Sequence, residues 1–105
     1  MIEMVIAFDF DGCLDNYKVQ QFAKKAISER NEVWVITKRR DGRHNVDLQS
    51  VLKSIRLPPT MVVYTDGKDK AKIVMGLNVD LYIDNETAEF EKINNNSNVL
   101  ALPYL

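Results

Sequence analysis

The chain has 105 residues, of which 46% are apolar and 28% charged, and a formal net charge of −1. That length suits one domain spanning 1–105 with a modest core, and the near-neutral charge argues against a general nucleic-acid coat, which is normally basic. A single cysteine, Cys13, excludes an internal disulfide; with no basic-then-apolar leader and no apolar run near the ~20 residues that span a bilayer, the expected location is the cytoplasm.

"EMVIAF" (3–8) is short and almost wholly apolar, as in a strand buried on both faces. Val19, Phe22, Ala23, Ala26 and Ile27 then recur at helical spacing within 18–30. "EVWVIT" (32–37) is a β-branched and aromatic strand, and Leu48, Val51, Leu52 and Ile55 mark a second helix that "LPP" (57–59) stops. "MVVYT" (61–65), "KAKIVMGL" (70–77), "VDLYID" (79–84) and "ETAEFEKI" (86–93) continue the alternation as strand, helix, strand and helix. "INNNSN" (93–98) reads as a polar turn into a last strand, "VLALPY" (99–104), which Pro103 confines to an edge.

Alternating β and α segments with apolar strands predict a three-layer α/β domain, a parallel sheet with helices on both faces. Ligands in such sheets bind beyond the carboxyl ends of the strands. The segments that follow the strands hold Asp9 and Asp11, Thr37 to His44, Asp66 to Lys70, and Asp84 with Asn85. Asp9 and Asp11 are two apart and start on one side of the chain, and Gly12 then permits a sharp turn. With Asp84 from a neighbouring strand, three carboxylates without Cys or His partners favour Mg²⁺ held together with a phosphate. One carboxylate, already ionised, suits a nucleophile, and a second, crowded by the first, suits a general acid. Thr37 offers a hydroxyl to a phosphoryl group, Lys38 stands beside it, and Lys70 or Lys68 offers a point positive charge.

"FDFDGCLD" resembles the first motif of the haloacid dehalogenase (HAD) superfamily of phosphatases, "VWVIT" its second, and "KAKIVMGLNVDLYIDN" its third and fourth. The resemblance runs the length of the chain. It implies a Rossmann-like five-stranded sheet in the order 5-4-1-2-3, with Asp9 the phosphorylated nucleophile and Asp11 the general acid and later base. It further implies Thr37 and Lys70 on the phosphoryl group, with Asp9, the backbone carbonyl of Asp11, and Asp84 holding Mg²⁺. The chain departs from the family in carrying Cys13 where Thr or Val is usual, and Asn85 where a second acid is common. Asn85 can still bond a metal-bound water. No cap domain is inserted after the first or third strand, so the implied protein is a minimal, capless member.

Asp15 and Asn16 read as caps of the coming helix. Cys13, with no base beside it, reads as a packing residue, and His44 as solvent-exposed. Lys38, Arg39, Arg40 and Arg43 share one loop, either a solubilising surface or a rim that steers and grips a phosphate-bearing substrate. An open site admits a bulky substrate, such as a nucleotide or a nucleic-acid end, and self-association into a homo-oligomer would supply a lid. The expected function is a Mg²⁺-dependent phosphomonoesterase. The alternative is a catalytically weak phosphate- or nucleotide-binding module of the same fold. A receiver domain is disfavoured, because its phosphorylated Asp follows the third strand.

Overall fold

The structure is a computed structural model that describes residues 4–85, 93 and 100–103. Five strands, β1 (Val5–Phe8), β2 (Glu32–Thr37), β3 (Val62–Tyr64), β4 (Leu81–Asp84) and β5 (Leu100–Pro103), form one sheet in the order β3-β2-β1-β4-β5. This is the expected 5-4-1-2-3 order read from the other edge, and every pairing is parallel. Pro103 lies on the edge strand, where its missing N–H costs no ladder bond.

Among the described residues three α-helices cover the sheet: α1 (Tyr17–Ser28), α2 (Val46–Ile55) and α3 (Ala71–Gly76). The strand alternation divides the core in two. Ile6 and Phe8 of β1, with Val33 and Val35 of β2, pack against Val19, Ala23 and Ala26 of α1 and Leu48, Leu52 and Ile55 of α2. Ala7, Ile36 and Tyr82 point to the other face, against Ala71 and Val74 of α3, and against Ile93 and Ala101. The sheet is thus sandwiched, as its doubly apolar strands require. Phe22 is half exposed, although its ring meets Phe8 edge-on with centroids 6.0 Å apart. The expected helix 86–93 and turn 93–98 lie outside the described residues, apart from helical Ile93.

Element ends differ from the sequence reading for local reasons. The side chain of Asn16 accepts a bond from Lys18 N at 2.9 Å, so α1 starts at Tyr17. Asp15, expected to share that role, instead accepts from Gly12 N at 3.1 Å and closes the preceding turn. At the far end of α2, Arg56 adopts a left-handed φ of 63° and Leu57 N returns to Leu52 O at 2.9 Å. A short 3₁₀ turn, Pro59–Met61, shortens β3 to three residues. Val79 N bonds Val74 O at 3.3 Å, which holds Val79 to the end of α3 and delays β4 to Leu81.

Among the described residues no helix is long and apolar enough to cross a membrane. Neither the Asp9–Asn16 turn between β1 and α1 nor the Thr65–Lys70 loop between β3 and α3 contains an inserted domain.

Cys13 is fully buried in that turn and its Sγ lies 3.6 Å from the carbonyl of Ile83, to which it donates. Burial first, and the charges of Asp9 and Asp84 next, push its thiol up to about 12. The packing reading of Cys13 therefore holds. In native buffer at pH 8 the thiol should stay unreactive towards a disulfide reagent and titrate stoichiometrically only in denaturant; fast native labelling would contradict this burial.

Candidate active site

The ends of β1 and β4 create the site. Phe8 pairs with Ile83, and Asp9 N extends the ladder to Ile83 O at 2.9 Å, so Asp9 and Asp84 leave adjacent strands side by side. Lys70, at the N-terminal end of α3, sends its side chain between them. Its Nζ donates to Asp9 Oδ1 and, at 3.3 Å, to Asp84 Oδ2. The lysine is 1% exposed, Asp9 6% and Asp84 0%, so all three charges are out of water.

The remaining oxygens have partners too. The hydroxyl of Tyr82 donates to Asp84 Oδ2. The amide of Asn85, oriented to suit its neighbours, donates to Asp9 Oδ2 and to Asp84 Oδ1, both at 3.1 Å. Lys70 thus takes one oxygen of each carboxylate, and the other oxygen of each faces Asn85. Two carboxylates are thus crowded together in a buried place around one ammonium. Desolvation is accordingly the largest influence on Asp9, raising its pKa from 3.8 to about 6 against the pull of Lys70, with Asp84 adding to the rise.

This donor set fits a hard cation. Oxygens around an octahedral Mg²⁺ with bonds of about 2.0–2.1 Å stand roughly 3 Å apart. The Asn85 amide stands at that spacing, 3.1 Å, from one oxygen of each aspartate. Rotating the amide by half a turn would add a third oxygen to the pair. Among the described residues, however, no three Asp, Glu, His or Cys side chains converge on one point. The expected third carboxylate, that of Asp11, is directed elsewhere.

Arg39 explains why. Its Nε and Nη2 grip Asp11 at 3.0 and 2.7 Å, and its Nη1 and Nη2 grip Asp47 at 2.7 and 2.8 Å. The guanidinium lies 4.8 Å from the centre of the Phe10 ring, and Nη1 reaches Asn45 Oδ1 at 3.3 Å. This doubly bidentate contact raises the pKa of Arg39 and lowers that of Asp47 from 3.8 to about 2. Arg39 is therefore a member of an ion-pair network with Asp11 and Asp47. Arg40 and Arg43 are exposed, as is His44.

Thr37 is fully buried at the end of β2, where its Oγ1 accepts from Arg39 N at 3.2 Å. Lys38 is half-buried, and its carbonyl accepts from Gly67 N at 2.7 Å, which ties the β2 and β3 loops together. Between the two candidate lysines, Lys70 enters the carboxylate pair. Lys68 is exposed and lines a recess between β3 and α3 with Val63, Ala71 and Met75.

Three participants escaped the sequence reading. Tyr82 stands two residues before Asp84 and so shares its face of β4, a period-two signal present in the sequence. Asn45, fully buried, donates to the carbonyls of Arg40 and Gly42 at 2.8 and 3.1 Å and shapes the loop. Its place before an apolar helical run marks a helix start but not this use. Asp47 carries no distinguishing signal of its own.

No protein-family model matches the sequence, and no curated protein matches it. Among solved structures, the chain is similar to one described as the crystal structure of AibC, with a TM-score of 0.60 and 15% identity over 99% of this chain. The chain spans 31% of the length of that protein. The likeness establishes the fold class, a parallel α/β sheet domain of Rossmann-like type.

Gly12 sits at φ +75°, and a Cβ there would overlap the Asn85 amide nitrogen and stand 3.1 Å from Asn85 Cγ. Gly67, at φ +82°, has open space around it. Gly12→Ala should therefore cost about 1–3 kcal/mol in a urea titration and Gly67→Ala about 1 kcal/mol. Equal losses would show that Asn85 yields freely. Asp9 makes a separate prediction. Its raised pKa means the folded state holds the proton more tightly, so its contribution is complete below about pH 4 and lost as pH rises through 6. In chelator, stability should fall by about 1–3 kcal/mol from this group between those values, and Asp9→Asn should flatten that slope.

Proposed function

We propose that the chain is a Mg²⁺-dependent phosphohydrolase that forms an aspartyl-phosphate on Asp9. The observation that carries this reading is the buried Lys70 bridging Asp9 and Asp84 at the carboxyl ends of adjacent strands. Two aspartates side by side with oxygen donors around them suit a divalent cation, and parallel sheets of this kind present such ends to ligands. The four short motifs that resemble the HAD superfamily support the same assignment of roles.

In this reading a carboxylate oxygen of Asp9 attacks phosphorus and the ester oxygen departs, taking a proton from Asp11. A water then attacks the phosphorus of the aspartyl-phosphate, Asp11 accepts the proton of that water, and Asp9 and inorganic phosphate are regenerated. Lys70 keeps Asp9 in place and offsets charge on the transferring oxygens, while the Thr37 hydroxyl holds one of them. Mg²⁺, held by Asp9, Asp84 and the Asp11 carbonyl, with Asn85 beside them, would supply further positive charge to the phosphoryl oxygens. Neither the β1–α1 turn nor the β3–α3 loop carries an inserted domain, so small phosphate esters, nucleotides and nucleic-acid ends are all candidate substrates. A second reading, a phosphate- or nucleotide-binding module, is favoured by one observation, the engagement of Asp11 by Arg39.

The first reading predicts turnover of an aryl phosphate that needs Mg²⁺ and stops in chelator. Asp9→Asn should lower kcat by on the order of 10³-fold or more, and Lys70→Met by a comparable amount. Full activity in Asp9→Asn would falsify the mechanism. Tight, metal-dependent binding of a phosphate mimic without turnover would instead select the binding module.

A further inference from the structure

Arg39 has five N–H donors, and its five hydrogen bonds go to Asp11, Asp47 and Asn45. It cannot bind another anion without surrendering a partner. The two carboxylates are not equally placed to yield. Asp47 belongs to the first turn of α2, and Asn45 just before it is fully buried and fixed to two loop carbonyls. Both carboxylates are similarly exposed, 58% for Asp11 and 61% for Asp47, but Asp11 lies in the Gly12 turn and its bond from Nε, at 3.0 Å, is the longest of the four. The guanidinium edge on Asp11, Nε and Nη2, holds the residue two positions from Asp9.

The pairing has a chemical consequence. Both carboxylate oxygens of Asp11 are taken by the guanidinium, so neither is open to a substrate while the pair holds. A phosphoryl group at Asp9 already has Lys70 and Thr37 to receive it. A second anionic group on the same substrate has Arg39 within the adjoining loop, and Arg presents a fork suited to phosphate.

We propose that Arg39 is an anion-responsive clamp: a phosphate ester carrying a second anionic group draws the guanidinium off Asp11 while Asp47 retains it, which frees Asp11 to act. The clamp makes Arg39 a specificity-determining residue for doubly anionic esters, and Asp47 the residue that positions it. The consequence for catalysis rests on the phosphohydrolase reading; the exchange of anions on Arg39 does not.

The Arg39 Nε–H bonds only Asp11, so its ¹H–¹⁵N resonance reports that contact alone. In the wild-type protein, inorganic pyrophosphate should shift this signal saturably, and inorganic phosphate at the same concentration should leave it in place. A signal unmoved by pyrophosphate, or moved equally by both anions, overturns the clamp. Turnover gives the second arm. The wild type should prefer a bisphosphorylated ester over an aryl phosphate by at least about tenfold in kcat/KM. Arg39→Met should erase the preference by raising kcat on the aryl phosphate. Arg39→Lys should not restore it, because an ammonium lacks the fork. An unchanged preference in Arg39→Met overturns the specificity role. A pyrophosphate-induced shift without any phosphatase activity would keep the clamp and reject the hydrolase reading.

Discussion

One lysine shared by two buried aspartates organises this molecule. Burying a carboxylate costs several kcal/mol unless it is paired and hydrogen-bonded, and here two are buried together. Lys70 meets both, Tyr82 adds a donor to Asp84, and Asn85 spans the oxygens that remain. Such a set seldom improves stability over apolar packing of the same volume. Its cost shows instead in the raised pKa of Asp9, where desolvation outweighs the pull of Lys70.

The surrounding fold serves this constraint through backbone geometry. Parallel pairing of β1 with β4 brings Asp9 and Asp84 level, and α3 begins at the point from which Lys70 can reach both. The Gly12 turn passes so close to Asn85 that a side chain there would displace the amide. The buried thiol of Cys13 fills the inner side of the same turn. Packing and charge are thus coupled over a few residues, and a change in one is felt by the other.

A second, outer layer of charge surrounds the first. Arg39 links Asp11 to Asp47 across two loops, stacked on Phe10 and steadied by Asn45. Of the basic residues in the 37–44 loop, Arg39 is tied by five hydrogen bonds, whereas Arg40 and Arg43 are exposed. Side-chain engagement of this kind depends on what two distant loops present to each other.

Much of this was legible beforehand. The run of short apolar strands with helices between them dictates a parallel sheet, because strands buried on both faces need cover on both. The Pro103 edge and the gathering of Asp9 and Asp84 at one end of the sheet follow from where strands end. Element boundaries were less legible, since Asn16, Arg56 and Val79 settle them through individual hydrogen bonds. The sequence by itself determined the layers, the sheet and the edge at which charged residues gather. Only the tertiary structure decided that Lys70 rather than Lys68 enters the cluster, that Tyr82 supports Asp84, and that Asp11 is held by Arg39. Those outcomes turn on distances between side chains far apart in the chain, for which local spacing carries no information.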